Sequence, residues 1–286
     1  MDYIDLHTHS SASDGTFTPS EVYASALEIN LSAVALTDHD TVDGIEEFLA
    51  AGKDHPECEA IPGVEIACQL NEKEIHILGL FIDRRSKALN DLLEFCRNER
   101  MKRNRDIFLK LHFLGYDLDI SMPEFKGKSL LEIGRPHFAR ALVNRYNFST
   151  LQSVFDKLIG HNKPAWVKRK YPLPEDVIKA IHLAGGIAVW AHPIMRDVPD
   201  LAFLMRSCRR LKAMGLDAIE GFYSMFSARE SLLIAEAAEQ YDLAISGGSD
   251  FHGDNRPNVL IGFGAGGLRV PEELIYKLKE CKNKLV

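Results

Sequence analysis

The stretch YIDLHTHSSASDGTFTPSEVYASALEINLSAVALTDHD, residues 3–40, has the pattern of one strand–helix–strand unit. The apolar run that ends at His7 predicts a strand. Thr18 followed by Pro19 predicts the N-cap and first residue of an amphipathic helix that extends to Asn30. The continuous apolar run in LSAVALTD is typical of a buried parallel strand. The amino-terminal stretch therefore predicts a βα repeat.

The same alternation continues through most of the chain. The segments GIAVWAH, DAIEG and LAISGGSD are predicted strands, and each follows a predicted helix, at 174–184, 200–214 and 227–241. The connection between CEAIPGVEIACQ and KEIHILGLFI is too short for a crossover helix, which predicts a hairpin with Glu65 facing His76. Repeated βα units predict an α/β protein with a closed or nearly closed, TIM-like parallel barrel.

Residues 86–166 break this alternation. They are rich in helix formers and basic residues, and they contain no convincing strand. We therefore expect residues 1–85 and 167–286 to form the barrel and residues 86–166 to form an inserted helical cap domain. The basic run over 97–105 is expected to be the solvent-exposed face of a long helix.

Metal-binding side chains recur where the predicted strands end. Because the C-terminal ends of parallel barrel strands converge on one face, such residues can meet in the fold. Imidazole and carboxylate are ligands for Mn, Fe or Zn. Asp38 and Asp40, beside His39, are expected to be a supporting partner and a helix cap rather than ligands. The candidate ligands are His7, His9, Asp14, His39, Glu65, His76, His192, Asp250 and His252.

Nine ligands are too many for one ion, so they predict a cluster of two or three divalent metal ions. Such clusters activate a water molecule as a nucleophile and bind the oxygens of the group that is displaced. This chemistry is typical of phosphoester hydrolysis, and the ligand set predicts an enzyme of that class.

The composition excludes several classes of function. The net charge of −7 is unfavourable for capture of a long polyanion such as double-stranded DNA. No apolar run approaches about 18 residues, so we expect no membrane-spanning helix, and the amino terminus does not have the pattern of a signal peptide. The five cysteines are scattered and form no CxxC pair, which predicts reduced thiols in a cytoplasmic protein.

Six motifs, in order along the chain, resemble those of the PHP (polymerase and histidinol phosphatase) superfamily of metal-dependent phosphoesterases. They are HTHSSASDG, LTDHD, the GVE of residues 63–65, HILGL, AHP and SDFHG. The resemblance implies a distorted seven-stranded β/α barrel with a cap domain. The SDG after HTHS and the segments GRPHFARALV and GHNKPAWV are similar to the branch that contains 3',5'-nucleoside bisphosphate phosphatases and 5'-3' exoribonucleases.

That branch implies a phosphatase for the 3'-phosphate of nucleoside 3',5'-bisphosphates, with trimming of short RNA from a 5'-phosphate end as a further activity. The expected metal is Mn, with Fe or Zn as alternatives. The resemblance also implies three ions. The first is held by His7, His9, Glu65 and Asp250. Glu65 bridges to the second, which His76 and His192 complete. The third is held by Asp14, His39 and His252, although some members have His at the position of Asp14.

Arg135 is the candidate for binding a second substrate phosphate. A guanidinium can bind two phosphate oxygens at once, and Arg135 precedes Pro136, a favoured first residue of a helix whose N-terminus attracts anions. An ordinary surface role is the alternative for each basic residue of this region. The further candidates are His137, Lys163, Lys168 and Arg169.

Two other functions fit parts of the sequence. One is a phosphatase of another small monoester such as histidinol phosphate, which needs no nucleobase site. The other is a metal-stabilised module that binds a nucleotide or a polymerase without catalysis. The complete ligand set disfavours the second of these, because ligand loss is the expected mark of a non-catalytic member.

Overall fold

The computed structural model describes residues 2–125, 127–194 and 201–285. The chain divides into two compact units: unit 1 comprises Met1–Leu93 and Pro172–Val286, and unit 2 comprises Glu94–Tyr171. The first division falls inside one long helix, Lys87–Phe113. That residues 86–166 form a cap domain stays a prediction.

Unit 1 is built on one eight-stranded sheet. Its strands are β1 (Tyr3–Thr8), β2 (Ala33–Leu36), β3 (Glu59–Leu70), β4 (Lys73–Leu80), β5 (Ile187–Ala191), β6 (Ala218–Tyr223), β7 (Ala244–Gly248) and β8 (Val270–Pro271). They lie in the order β7-β6-β5-β4-β3-β2-β1-β8. β4 is antiparallel to β3 and β5, and β8 is antiparallel to β1. The other neighbours are parallel.

The sheet nearly closes on itself where the carboxyl ends of β1 and β7 meet. The Asp250 N–H donates to the His7 carbonyl at 2.8 Å, and the His9 N–H donates to the Phe251 carbonyl at 2.9 Å. Thr8 and Phe251 form a parallel bridge. The prediction of an α/β, TIM-like barrel is therefore confirmed. The resemblance predicts seven strands, and the eighth is the two-residue β8 beside β1.

The predicted hairpin is formed by β3 and β4, with a different register from the one expected. Glu65 pairs with Leu78, and His76 pairs with Ala67, so Glu65 and His76 are diagonal neighbours rather than direct partners. Diagonal positions lie on the same face of a sheet. Glu65 Oε1 therefore still lies 2.7 Å from His76 Nδ1.

The structure describes nine α-helices. They are α1 (Pro19–Glu28), α2 (Ile45–Ala51), α3 (Lys87–Phe113), α4 (Arg135–Arg145), α5 (Leu151–Val154), α6 (Pro174–Leu183), α7 (Leu201–Ala213), α8 (Ala228–Gln240) and α9 (Glu273–Asn283). Thr18 and Glu21 form a capping box at the start of α1, where the sequence predicts the helix to begin. The predicted start of the helix over 200–214, at residue 200, lies outside the described residues.

The alternation of side chains along β1 separates the core from the site. Ile4 and Leu6 pack in a buried apolar cluster with residues of the neighbouring strands and α9. Asp5 and His7 occupy the alternate positions and therefore point to the opposite face. Both are fully buried. A buried carboxylate and a buried imidazole need polar partners, so we expect a network of hydrogen bonds on this face of β1.

Unit 2 has a hydrophobic core of its own. The rings of Phe108, Phe125 and Phe138 make edge-on contacts with centroid separations of 4.8 to 5.6 Å. Leu142 and Val154 are buried beside them. No strand lies among the described residues of this unit. Across the part of the chain that the structure describes, no helix has both the length and the apolar character needed to span a membrane.

Candidate metal centre

The candidate ligands come together at the ends of the unit 1 strands. His7 and His9 lie at the end of β1, His39 follows β2, and His192 follows β5. The remaining ligands lie on β3 and β4 or in the segments after β1 and β7: Glu65, His76, Asp14, Asp250 and His252. Three groups have ligand atoms within 4.8 Å of one another: His7, His9, Glu65 and Asp250; His39, Glu65 and His76; and His9, Asp14, His39 and His252.

Glu65 is shared by the first two of these groups. Its Oε1 lies 2.7 Å from His76 Nδ1 and 2.9 Å from His192 Nε2. Its Oε2 lies within 3.4 Å of three further imidazole nitrogens, those of His7, His9 and His39. Five imidazoles thus surround one buried carboxylate.

The third group, like the second, has two partly exposed members. His252 Nε2 lies 3.3 Å from Asp14 Oδ1, and His39 Nε2 lies 3.9 Å from Asp14 Oδ2. The rings of His9 and His252 stack with centroids 4.1 Å apart. The Asp14 side chain is 19% exposed, whereas that of Glu65 is 1% exposed. Asp14 therefore lies nearer to solvent than Glu65 does.

The donor atoms fit divalent metal ions. Within the described residues, Glu65 Oε2 accepts no hydrogen bond of acceptable geometry, although three imidazoles lie close to it, and His9 Nδ1 has no partner. An unsatisfied buried carboxylate oxygen is costly unless a cation neutralises it. Burial lowers the pKa of His39 to about 3, which leaves its imidazole neutral and able to bind a metal.

The electrostatic field of the centre favours positive charge. Burial acts to lower the pKa of His9, but contacts with Asp250 and Glu65 raise it to about 9. Burial also acts to lower the pKa of His76, but its contact with Glu65 raises it to about 10. Burial alone would raise the pKa of Glu65, yet the surrounding imidazoles hold it well below its usual value. The carboxylates are therefore ionised at neutral pH, as metal binding requires.

Glu220 is a buried carboxylate that the sequence analysis missed. Its Oε1 lies 3.0 Å from His7 Nδ1, and its Oε2 accepts the His192 backbone N–H at 2.7 Å. A carboxylate on one ring nitrogen of a histidine orients the other nitrogen towards a metal. The available signal was an acidic residue inside the otherwise apolar strand segment DAIEG.

The turn that carries Asp14 is held by Asp38. The Asp38 carboxylate accepts the Ser10 N–H at 2.8 Å, the Ser10 hydroxyl at 2.6 Å and the Ser13 hydroxyl at 2.5 Å. Asp38 thus holds the turn through Ser10 and Ser13, whereas the sequence predicts that it orients a ligating histidine. The prediction of a helix cap beside it is wrong, because α2 begins at Ile45 and the residue before it, Gly44, is the N-cap.

Asp250 has two partners that the sequence analysis also missed. The Tyr223 hydroxyl donates to Asp250 Oδ2 at 2.9 Å, and the Arg256 guanidinium forms an ion pair with the same oxygen. Asp250 Oδ1 lies 3.2 Å from His9 Nε2. One oxygen of Asp250 is therefore anchored, and the other faces the imidazoles.

Two of the candidate ligands have a strained backbone conformation. His192 and Asp250 have positive φ values of 30° and 57°. Such conformations cost about 1–3 kcal/mol each in a non-glycine residue and persist where the surroundings impose them. At Gly248, a Cβ atom would lie 2.4 Å from His7 Cβ. The close approach of β7 to β1 therefore requires glycine at this position.

The candidate phosphate-binding residues lie in unit 2. Arg135 is the first residue of α4, and His137 Nδ1 accepts the N–H of the N-cap residue Gly134 at 3.0 Å. Lys163 and Lys168 are exposed. Arg169 is buried, and its Nη2 donates to the Cys96 carbonyl at 2.8 Å.

Unit 2 also contains Arg100 and Arg103, and the charges of Arg100, Arg135 and Arg169 act on Arg103. Arg103 is 7% exposed and donates from Nε and Nη2 to Asn104 Oδ1. Burial, and then the charges of Arg100, Arg169 and Arg135, lower the pKa of Arg103 to about 9. The expectation that residues 97–105 form a solvent-exposed helix face is wrong for Arg103 and Asn104, because both are buried.

Comparison with known proteins identifies the family. The model of the PHP domain family matches residues 5–186. The chain belongs to the PHP family. PHP proteins of its kind are metal-dependent phosphoesterases, and the ligand residues from His7 to His76 lie within the matched part.

Individual PHP proteins are similar to the chain over nearly its whole length. A 5'-3' exoribonuclease of Haemophilus influenzae is 34% identical over 248 residues, which cover 87% of this chain and 89% of the relative. A 3',5'-nucleoside bisphosphate phosphatase of Chromobacterium violaceum is 34% identical over 257 residues, 88% of this chain and 88% of the relative.

A solved structure confirms the fold of this PHP protein. The structure of a candidate metal-dependent phosphoesterase of Bifidobacterium adolescentis has a TM-score of 0.82 and 26% identity, and the match covers 98% of this chain and 96% of that one. The chain is therefore an enzyme of the phosphoesterase class.

Proposed function

We propose that this PHP protein hydrolyses the 3'-phosphate of nucleoside 3',5'-bisphosphates and also trims short RNA from a 5'-phosphate end. It would do so with two or three divalent metal ions, for which we expect Mn. The observation that carries the proposal is the ligand cluster around Glu65, in which five imidazoles lie within 3.4 Å of one carboxylate.

Three sets of side chains would hold the ions, with Glu65 shared between the first two. They are His7, His9, Glu65 and Asp250; Glu65, His76 and His192; and Asp14, His39 and His252. His39 lies close enough to Glu65 and His76 to join the second set as well. When bound, such ions supply an activated water as nucleophile and neutralise charge on the phosphoryl oxygens.

The protein's own groups would keep these ligands in a productive arrangement. Glu220 fixes the ring of His7 and the backbone of His192 together, which couples β1 to β5. Tyr223 and Arg256 fix Asp250. Because Glu220 is fully buried and Tyr223 is partly buried, the ligands that they contact lose little conformational freedom when an ion binds.

The second phosphate of the substrate is proposed to bind at the arginines of unit 2. Arg135 lies at the start of the eleven-residue helix α4, whose first turn contains two basic residues, Arg135 and His137, and no acidic one. Basic residues are unfavourable at a helix N-terminus because of the helix dipole. A bound anion would offset that cost and the mutual repulsion of Arg103 and Arg135.

The named relatives support the substrate class. One is called a 3',5'-nucleoside bisphosphate phosphatase and another a 5'-3' exoribonuclease. Both kinds of substrate carry a reacting phosphate on the 3'-oxygen of a nucleotide and a second phosphate on its 5'-oxygen. A nucleotide with phosphates on both oxygens is therefore the substrate class that the two names share.

A panel of phosphate esters tests this proposal. The Mn-reconstituted protein is offered 3'-phosphoadenosine 5'-phosphate, 5'-AMP, histidinol phosphate and a 5'-phosphorylated oligoribonucleotide, and phosphate and nucleotide release are measured. The highest kcat/KM is expected for the bisphosphate. A preference for histidinol phosphate would refute the proposed substrate, and no turnover of any ester by the metal-loaded protein would favour a binding module.

The Arg135→Ala variant tests the second phosphate site. Loss of a charged hydrogen bond should raise KM for 3'-phosphoadenosine 5'-phosphate by about 10- to 100-fold with little change in kcat. Arg140→Ala, an exposed position on the same helix, is the control. An unchanged KM would remove Arg135 from the site.

A further inference from the structure

A cavity of about 600 Å³ opens beside the metal centre in unit 1. Its walls come from Tyr223 at the end of β6 and Met225 just after it, and from the loop after β7, which includes Arg256, Val259 and Ala265. Both parts of the wall lie at or after the carboxyl ends of parallel strands. The cavity therefore lies on the face of the barrel where the candidate ligands converge.

Two side chains belong to both the cavity and the metal centre. Tyr223 and Arg256 line the cavity, and both bind Asp250 Oδ2. The Tyr223 ring also lies 5.5 Å from the His192 ring. A group attached to a phosphate that is bound at the metal centre could therefore lie in the adjoining cavity.

The lining indicates what kind of group would enter. Met225 is 70% exposed, so an apolar side chain is presented to solvent at the cavity wall, and Val259 and Ala265 add apolar surface. Methionine adapts its shape to flat and irregular ligands and makes favourable contacts with aromatic rings. Mostly apolar cavities of about 300–1,000 Å³ with a few polar groups are typical of small-molecule sites, and a phosphate alone would fill only a small part of this one.

Arg256 supplies a cation at the wall of the cavity. Its contacts with Asp250 use only Nη1. Nε and Nη2 have no hydrogen-bond partner within the described ranges of the chain, and they can donate to an anionic oxygen. An apolar wall and one cation beside the metal ligands suit an aromatic base joined through a sugar to a phosphate.

We propose that this cavity binds the nucleoside of the substrate, with Met225 and Val259 packed against the base and Arg256 bound to an oxygen of the reacting phosphate. The inference rests on the proposed function, because it assigns a place to the nucleoside of that substrate. Met225 and Val259 become specificity-determining residues. Arg256 both anchors Asp250 and positions the substrate.

Two variants change the cavity without touching a candidate ligand. Met225→Ala removes the apolar wall, and Ala265→Trp fills the cavity; both positions are exposed, so the fold should tolerate the changes. Leu232→Ala, at an apolar position of α8 that is 65% exposed, is the matched control. Steady-state kinetics of the Mn-loaded proteins compare 3'-phosphoadenosine 5'-phosphate with glycerol phosphate, which has no base.

For Met225→Ala we expect KM for the bisphosphate to rise about tenfold, because the apolar contact between this side chain and the base is lost. For Ala265→Trp we expect a larger rise. Turnover of glycerol phosphate and the Mn content should match those of the wild type and of the Leu232→Ala control. An unchanged KM for the bisphosphate in both variants overturns the inference. An equal loss of activity on both esters also overturns it, because the cavity would then act only through the metal centre.

Calorimetric titration with adenosine separates this inference from the proposed function. If the wild type does not hydrolyse the bisphosphate, the proposed function fails, yet the cavity can still be tested by binding. Adenosine that binds the wild-type protein but not Ala265→Trp supports the nucleoside site. Failure of adenosine to bind the Mn-loaded wild type, or equal binding to both proteins, refutes it.

Discussion

Replacing Glu220 with glutamine should disable the metal centre through the tautomer of one histidine. Glutamine has nearly the same shape as glutamate, but it offers one oxygen and one NH₂ group in place of two oxygens. The His192 N–H requires an acceptor, so the amide oxygen of Gln at this position must face it. The NH₂ group then faces His7 Nδ1.

A donor at this position makes His7 Nδ1 an acceptor, and the ring proton moves to Nε2. In the structure Nε2 is the nitrogen that faces the ligand cluster, 3.4 Å from Glu65 and 3.1 Å from His9 Nε2. A protonated nitrogen cannot bind a metal. Changes to such supporting groups typically weaken metal affinity or activity about 10- to 100-fold, which corresponds to about 1.4–2.7 kcal/mol.

The measurement is Mn titration of the metal-free protein by calorimetry, together with kcat/KM on the best ester of the panel. Glu236→Gln removes the same charge from an exposed position of α8 and serves as the control. Equal Mn affinity in Glu220→Gln and in the wild type would refute the tautomer argument. So would a loss of affinity of the same size in the control.

Three further tests probe the same centre: substitution of single ligands, a pH series on the metal-free protein, and substitution of Asp38. His76→Ala and His252→Ala belong to different ligand groups, so each should lose about one bound ion per chain by elemental analysis; unchanged metal content in either variant would remove that residue from the ligand set. In the metal-free protein the pKa of His9 is raised to about 9 and that of His76 to about 10, against the effect of burial and through their carboxylate partners. Because these values exceed the usual 6.5, the two protonated rings stabilise the fold below about pH 6.5, and this contribution is lost as the pH rises through 9 to 10. The melting temperature of chelator-treated protein should therefore fall by several degrees over that range, and a flat profile would contradict the charge network. Asp38→Asn should cost about 1–3 kcal/mol of unfolding free energy in denaturant titrations and weaken occupancy of the Asp14 group, because one carboxylate oxygen that accepts a buried hydrogen bond is replaced by a donor; unaltered unfolding and metal content would count against this role.

Much of the fold could be predicted because its signals are local. The capping box of α1, the apolar runs of β1 and β2 and the short turn between β3 and β4 each involve residues close in sequence. The register of pairing between β3 and β4 was less predictable. The sequence places Glu65 and His76 on one hairpin, but the pairing of Glu65 with Leu78 depends on how both strands pack in the sheet.

The candidate ligands could also be recognised from the sequence, because each stands at the end of an apolar run and their residue types are those that bind metals. The supporting residues could not. Glu220 is 213 positions from His7. The role of a glutamate in a strand cannot be inferred until its contacts in the fold are known. The basic run around Arg103 predicts a solvent-exposed helix face, because such runs are usually solvated, whereas Arg103 is buried in the fold.

The sequence by itself determined the α/β repeat, the family and the positions of the groups that can bind metal, since periodicity and residue type are properties of neighbouring residues. Only the tertiary structure decided that five imidazoles surround Glu65, that Glu220 fixes His7 and His192, and that a cavity opens beside Asp250. These features depend on contacts between segments far apart along the chain. Closure of the sheet between β1 and β7 is what brings those segments together.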